Sequence, residues 1–350
     1  MTDADARNLA IVVPVHNEAA VLGAFHARLA AVLDGLDATA TVLYVDDGST
    51  DTSAEVIDRL SRDDPRVGLL ALSRNFGKEA AITAGLDHAT GDAVIVLDAD
   101  LQDPPELIPE LVARWRAGFD VVYGQRTDRR ADTWLKRTTA DLFYRLMQRT
   151  GRVRIPSQAG DYRLLSRRAV DAIVSLREHH RFMKGLYAWV GYPQAAVPYT
   201  REARAGGESK WTYWGLWNLA LEGITSFTAA PLKIASYIGL ATAGGAFVYG
   251  LVIIARTLIM GRDVPGYASI MVVVLFLGGI QLMALGAIGE YLGRTFNEVK
   301  RRPLYFVDTF DPGRGARQRS RAPLAAVEGA GQARGKPGPD RTGRRERASR

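Results

Sequence analysis

Ala93-Val-Ile-Val-Leu-Asp-Ala-Asp100 decides the reading of this chain: five apolar residues run without interruption into two carboxylates. A short, β-branched apolar run bounded by polar residues reads as a strand buried on both faces. Thr41-Val-Leu-Tyr-Val-Asp-Asp-Gly-Ser49 shows the same pattern upstream, with Asp46 and Asp47 at its end. Open α/β sheets bind ligands just outside the carboxyl ends of their strands, which is where both acid pairs fall.

Working outward, Leu9–Val15, Val67–Leu72 and Phe119–Tyr123 are further strands. Helical patterns fill the intervals: Ala19–Leu33, a helix capped by Ser49, Thr50 or Asp51, then Glu79–Ala89, and Glu106–Ala117 behind Pro104-Pro105. This alternation predicts an α/β fold with a mainly parallel, Rossmann-like sheet covered by helices on both faces. Two nucleotide-binding alternatives fail. No Gly-x-Gly-x-x-Gly follows the first strand, where the sequence is Pro14-Val-His-Asn-Glu18, and Gly77-Lys78 lacks both the upstream glycine and the following Ser or Thr of a Walker loop.

Composition narrows the chemistry. The 350 residues include no cysteine, which excludes disulfides and thiolate metal sites. The five histidines show no zinc spacing; His16 falls in the first loop and His179-His180 precede Arg181. Residues 311–350 hold eleven Arg or Lys against four Asp or Glu, a surplus equal to the whole net charge of +7. The basic character therefore belongs to a tail that reads as disordered, and nucleic acid is not an expected partner. The first residues, with Asp3 and Asp5, do not resemble an export signal.

The apolar residues concentrate after Pro231. Ile234–Met260 spans 27 residues, roughly 40 Å as a helix, against a hydrocarbon core of ~30 Å. Ile270–Gly289 carries no charge over 20 residues. Two transmembrane helices are expected, at about 234–260 and 270–292. Upstream, Trp134–Thr150 mixes apolar residues with Lys136, Arg137, Arg145 and Arg149, and the segment from 210 to 230 opens with Lys210, Trp211, Tyr213, Trp214 and Trp217. Both suit helices lying in the headgroup region. The expected domains are 1–230, catalytic and including these interfacial helices; 231–295, the two-helix membrane segment; and 296–350, a basic tail. Lys233 and Arg294, Lys300, Arg301 and Arg302 flank the spans, while the connecting loop has Arg262 offset by Asp263. The positive-inside rule then places the domain and both termini on the cytoplasmic side of the inner membrane.

An Asp-x-Asp pair holds two carboxylates close enough to serve one hard divalent ion, which takes oxygen ligands and completes its shell with water and substrate phosphates. Asp98 and Asp100 suit Mg²⁺ or Mn²⁺, with Gln102 as a nearby oxygen ligand. Asp46 and Asp47 suit the base and ribose of a nucleotide.

The motifs resemble those of family 2 glycosyltransferases with the GT-A fold: Val12-Val-Pro-Val-His-Asn-Glu18, Val45-Asp-Asp-Gly-Ser-Thr-Asp51, Leu72-Ser-Arg-Asn-Phe-Gly-Lys-Glu79 and Leu97-Asp-Ala-Asp-Leu-Gln-Asp-Pro-Pro105. Gly160-Asp-Tyr-Arg-Leu164, Arg181-Phe-Met-Lys-Gly185 and the two spans are similar to those of the polyprenyl-phosphate glycosyltransferases, among them bactoprenol glucosyltransferases and relatives of dolichol-phosphate mannose synthases. The resemblance covers roughly residues 8–306. It implies inverting transfer of a hexose from a nucleotide sugar to a polyprenyl phosphate such as undecaprenyl phosphate, with glucose from UDP-glucose first and mannose from GDP-mannose as the alternative. Pro14, Asn17, Glu18, Asp46, Asp47, Ser49 and Asp98 match donor-binding positions. Asp98, Asp100 and Gln102 match the metal and diphosphate site. Asp161 matches the acid of a Gly-Asp-Phe-Arg-Leu motif, here with Tyr162 for Phe, and carries an implied catalytic role as a base. Arg126, Arg137 and Lys210 are the candidates for holding the acceptor phosphate, because Arg offers a bidentate fork; Arg126 and Asp100 join Asp161 in the expected catalytic set. A processive polysaccharide synthase would have a Gln-x-x-Arg-Trp motif, whereas Arg114-Trp115 follows Leu111 here. A silent membrane adaptor would not need the acids this chain keeps. Two spans and an aromatic belt are compatible with a homo-oligomer.

Overall fold

The structure, a computed structural model, describes residues 8–127, 159–179, 181–201, 230–260 and 266–314. Its strands are β1 (Asn8–Val15), β2 (Thr39–Asp46), β3 (Val67–Leu72), β4 (Ala93–Val96), β5 (Val121–Arg126), β6 (Ala159–Ser166), β7 (Gln194–Tyr199) and β8 (Val307–Asp311). Its helices are α1 (Ala19–Asp34), α2 (Ser53–Asp63), α3 (Lys78–His88), α4 (Ile108–Arg116), α5 (Arg167–Ser175), α6 (Met183–Trp189), α7 (Ala230–Met260) and α8 (Tyr267–Lys300). One sheet contains all eight strands in the order β7-β5-β6-β4-β1-β2-β3-β8.

Alternation along β1 builds the layers. Leu9, Ile11, Val13 and Val15 face Leu22, Phe25 and Leu29 of α1, Ile57 of α2 and Leu111 of α4. Ala10 and Val12 point the other way, into a second core with Ile82 and Leu86 of α3, Val170 and Ile173 of α5 and Leu186 of α6. Both faces of the central strands are therefore dry, which explains why they read as continuous apolar runs. The result is the GT-A arrangement expected from the sequence.

The sheet is parallel through β4, β1, β2 and β3, and again between β5 and β7. Strand β6 breaks the pattern by running antiparallel between β4 and β5. Its register pairs Ala93 with Ser166 and Val96 with Arg163. Continued by two residues, that register sets Asp161 opposite Asp98.

Helices α7 and α8 are long and apolar enough to cross a membrane. Phe247, Leu258, Leu282 and Met283 stand exposed along them, as a lipid-facing surface requires. Both helices extend beyond the expected spans. α8 ends at Arg301, whose φ of 48° is the left-handed conformation that closes a helix, ahead of Pro303. The chain then returns to the sheet as β8, antiparallel on β3. Phe306 packs on Phe76, and Tyr305 and Phe310 pack on His88. The expectation of a tail from residue 296 did not include this strand; the aromatics of Tyr305-Phe-Val-Asp-Thr-Phe310 explain its docking. The segment 134–150, the segment 210–229, the loop 261–265 and residues 315–350 lie outside the described residues, as do Arg137 and Lys210.

Candidate active site

The loop after β1 is stapled to the loop after β2. Asn17 adopts a left-handed φ of 58°, a conformation that asparagine tolerates better than other non-glycine residues. Its backbone N–H donates to Ser49 Oγ at 3.0 Å, and its Oδ1 accepts from Thr50 N at 2.8 Å and Asp51 N at 3.3 Å. Glu18 N donates to Ser53 Oγ at 2.9 Å. Gly48, with φ of 60°, lies so close to the 74–75 backbone that a Cβ there would sit 2.4 Å from the Arg74 carbonyl carbon. Asn17, Ser49 and the backbone of Glu18 thus shape the loop that begins at the end of β1, just beyond Pro14.

The two adjacent acids differ. Asp46 Oδ1 accepts from Ser49 N at 3.3 Å, and burial raises its carboxyl pKa, partly offset by that hydrogen bond. Asp47 spends its carboxylate on the backbone, accepting from Phe76 N at 2.7 Å and Gly77 N at 2.9 Å. His16 Nδ1 lies 3.0 Å from the Asp47 carbonyl while its Nε2 faces the Asn75 amide at 3.0 Å; the carbonyl assigns the ring proton to Nδ1. Asp47 and His16 therefore hold the 75–77 turn, which in turn presents Lys78 at the start of α3.

Lys78 is the centre of the site. Its Nζ lies 2.7 Å from Asp98 Oδ2 and 2.7 Å from Asp161 Oδ2. Two like charges opposite one another on neighbouring strands repel; the lysine between them relieves that repulsion. Burial raises the Asp98 carboxyl above its usual range despite Lys78. Burial would also raise Asp161, but Lys78 and Lys184 outweigh it and hold Asp161 well below the usual carboxylate range. Burial would lower the Lys78 ammonium, and the two carboxylates more than reverse this. Because 44% of the Lys78 side chain is exposed, solvent screening keeps the bridge's contribution to folding small.

A second polar cluster adjoins the first. Asp100 Oδ1 accepts from Gln102 N at 3.1 Å, and its Oδ2 lies 3.7 Å from Arg201 Nη2. Between them Leu101 is left-handed, with φ of 59°. Asp103, 1% exposed, accepts from the Tyr199 hydroxyl at 2.5 Å and lies 3.6 Å from Arg201 Nε and 4.0 Å from Arg126 Nη2. Arg126 Nε donates to the Tyr199 hydroxyl at 3.3 Å. Arg126 keeps 32% of its side chain exposed, so its guanidinium is anchored and still reachable. Behind Asp161, the fully buried Arg163 stacks on Tyr187 at 4.2 Å and donates to the Gly160 carbonyl at 3.0 Å.

The structure thus brings together Asp98, Asp100, Asp161 and Arg126, with Asp46, Asp47, Asn17 and Ser49 on the adjacent loops. Lys78, Asp103 and Arg201 were not among the expected residues. Lys78 had a visible signal in Gly77-Lys78, set aside because it does not make a phosphate loop. Among the described residues no group of three or more His, Cys, Asp or Glu surrounds a common metal position. Asp98 and Asp100 offer oxygen donors only and are partly open, at 19% and 15% side-chain exposure. That donor set fits an ion held by one or two carboxylates and completed by substrate phosphates, as magnesium prefers.

The chain is similar to known proteins along most of its length. Residues 10–174 match the profile of glycosyl transferase family 2, and residues 230–295 match the GtrB C-terminal hairpin. An uncharacterized glycosyltransferase of Synechocystis is 50% identical over 85% of this chain and 94% of its own. A prophage bactoprenol glucosyl transferase homolog of Escherichia coli is 46% identical over 85% of this chain and 98% of its own. The bactoprenol glucosyl transferase of Shigella phage SfII is 46% identical, covering 85% and 97%.

Proposed function

From the premise that this chain belongs to glycosyltransferase family 2 and is a polyprenyl-phosphate glycosyltransferase, we propose that it moves glucose from UDP-glucose to undecaprenyl phosphate at the cytoplasmic face of the inner membrane. The observation that carries the reading is the meeting of Asp98, Asp100, Asp161 and Arg126 at the carboxyl end of the sheet, in a chain with two membrane-length helices. Relatives named as bactoprenol glucosyl transferases support glucose and a polyprenyl phosphate.

In this reading Asn17, Ser49 and Asp46 shape the nucleotide pocket, with Pro14 and Glu18 beside them, and Asp47 fixes the turn leading to Lys78. Asp98 and Asp100, with Gln102 beside them, would hold a divalent ion, and that ion would offset charge on the leaving diphosphate. Arg126 meets the acceptor phosphate, together with Arg137 and Lys210. An acceptor oxygen attacks the anomeric carbon as the bond to the UDP oxygen breaks, inverting that centre. A phosphate monoester has a second pKa near about 6, so the acceptor arrives largely anionic. Asp161, held ionised by Lys78, is a poor base; its part is to place Lys78 beside the donor site. The catalytic domain is residues 1–230, and Lys233 and Arg294 to Arg302 keep it cytoplasmic.

The test is mass spectrometry of lipids from vesicles containing the protein, undecaprenyl phosphate, Mg²⁺ and UDP-glucose. A lipid heavier by one hexose is expected with the native protein and at least about 100-fold less with Asp100→Ala. Equal product from both would reject the role of Asp100.

A further inference from the structure

Both acids of Asp98-Ala99-Asp100 are engaged by cations of this chain, but in different ways. Arg201 approaches Asp100 loosely, at 3.7 Å. Lys78 is in full contact with Asp98 and Asp161 at 2.7 Å each. The backbone that carries Lys78 is held from the nucleotide side: the Phe76 and Gly77 N–H groups are bound by Asp47, 3% exposed, and Gly77 takes a φ of 98°. A lysine fixed this way is a built part of the site and not a surface charge that has settled on a carboxylate.

Two consequences follow. An ammonium and a divalent ion cannot both occupy Asp98 Oδ2, so Lys78 competes with the metal for that oxygen. Asp161 offers Lys78 a second anchor that the metal does not need, so Lys78 can yield Asp98 without leaving the site. A nucleotide diphosphate adds oxygens that favour the metal and negative charge that favours an adjacent lysine.

We propose that Lys78 is a positioning residue that guards Asp98 against metal capture until the nucleotide diphosphate arrives, making metal binding and donor binding one event. The inference rests on the donor-site reading above and adds to it an order of binding and the residue that imposes it.

The experiment measures Mn²⁺ binding by electron paramagnetic resonance, using the full chain in detergent micelles with and without UDP. The native protein is expected to bind Mn²⁺ weakly alone and at least about 10-fold more tightly with UDP. Lys78→Met and Lys78→Gln are expected to bind Mn²⁺ alone at least about 10-fold more tightly than the native protein, and to lose most of the gain from UDP. Lys78→Arg keeps the native pattern. Lys184→Gln removes a positive charge near Asp161 without a contact to Asp98 and is expected to change Mn²⁺ affinity little. The proposal is overturned if both neutral Lys78 variants bind Mn²⁺ alone no more tightly than the native protein, if Lys184→Gln matches them, or if UDP does not strengthen Mn²⁺ binding to the native protein. The lipid-product assay separates the two readings. A native protein that makes no lipid-linked hexose, yet shows this Mn²⁺ pattern, retains the role of Lys78 and loses the acceptor.

Discussion

The hydroxyl of Tyr199 donates a 2.5 Å hydrogen bond to Asp103, a carboxylate with 1% of its side chain exposed. The same hydroxyl accepts from Arg126, so one phenol links a buried acid to the guanidinium proposed to meet the acceptor phosphate. Asp103 also steers Arg201, and Arg201 reaches Asp100. The proposed acceptor and metal sides of the site share this one buried carboxylate.

Tyr199→Phe removes the link while keeping the ring. Losing a hydrogen bond to a buried charge costs about 1.5–3 kcal/mol, which a lowered unfolding midpoint would register. KM for undecaprenyl phosphate should rise several-fold while KM for the nucleotide sugar stays near native. A rise in the donor KM alone would detach Arg126 from the acceptor.

Glu79 gives a pH prediction. Burial, reinforced by Asp161, pushes its carboxyl up to about 8 from 4.5, against the pull of Lys78 and Lys184, and its Oε2 is buried without a hydrogen-bond partner. A raised acid binds its proton more tightly folded than unfolded. It therefore costs nothing at low pH, and destabilises increasingly as pH climbs from about 4.5 to about 8. Glu79→Gln should stay within about 1 kcal/mol of the native protein in thermal unfolding at pH 5 and exceed it at pH 8 by about 4 kcal/mol. A gap that does not grow with pH would contradict this.

The return of the chain as β8 joins the second long helix to the catalytic sheet. Tyr305 donates to Asp87 at 2.6 Å, Arg177 meets the same carboxylate oxygen at 2.7 Å, and Glu298 of α8 accepts from His179 N at 2.7 Å. Ending the chain after Arg302 bares the edge of β3 and removes three aromatic contacts, each worth about 0.5–1.5 kcal/mol. The unfolding midpoint should fall by roughly 5–10 °C, whereas ending it after Arg314 should leave it unchanged. Equal midpoints would show that the strap is dispensable.

The absence of cysteine makes orientation simple to test. Single cysteines at Ser61, in α2, and at Gly261, between the spans, would be probed with a membrane-impermeant maleimide on intact cells. Labelling at 261 and protection at 61 is expected from the charge asymmetry. The reverse pattern would place the catalytic domain outside.

The strands β1 to β4 were legible because burial on both faces leaves an unbroken apolar run, and Asp98 and Asp100 were legible because they interrupt it. Strand β6 was recognised only as a motif. Asp161 and Arg163 interrupt its apolar pattern, and nothing local signals that Arg163 is buried against Tyr187. The meeting of Asp161 with Asp98 depends on the antiparallel register of β6, which no spacing within either segment encodes. Lys78 is hard to read for a related reason: Gly77-Lys78 lacks the pattern of a phosphate loop, and its partners lie 20 and 83 residues away. Arg201 follows β7, a strand the sequence reading did not identify.

Transfer of one sugar to a lipid phosphate can be tested directly. Washed membranes containing the protein would be incubated with undecaprenyl phosphate, Mg²⁺ and each radiolabelled nucleotide sugar in turn, and the organic extract counted. Label is expected from UDP-glucose and none from GDP-mannose. Label from GDP-mannose alone would overturn the donor, and no extractable label from any donor, with folded protein in the membrane, would contradict transfer to the lipid.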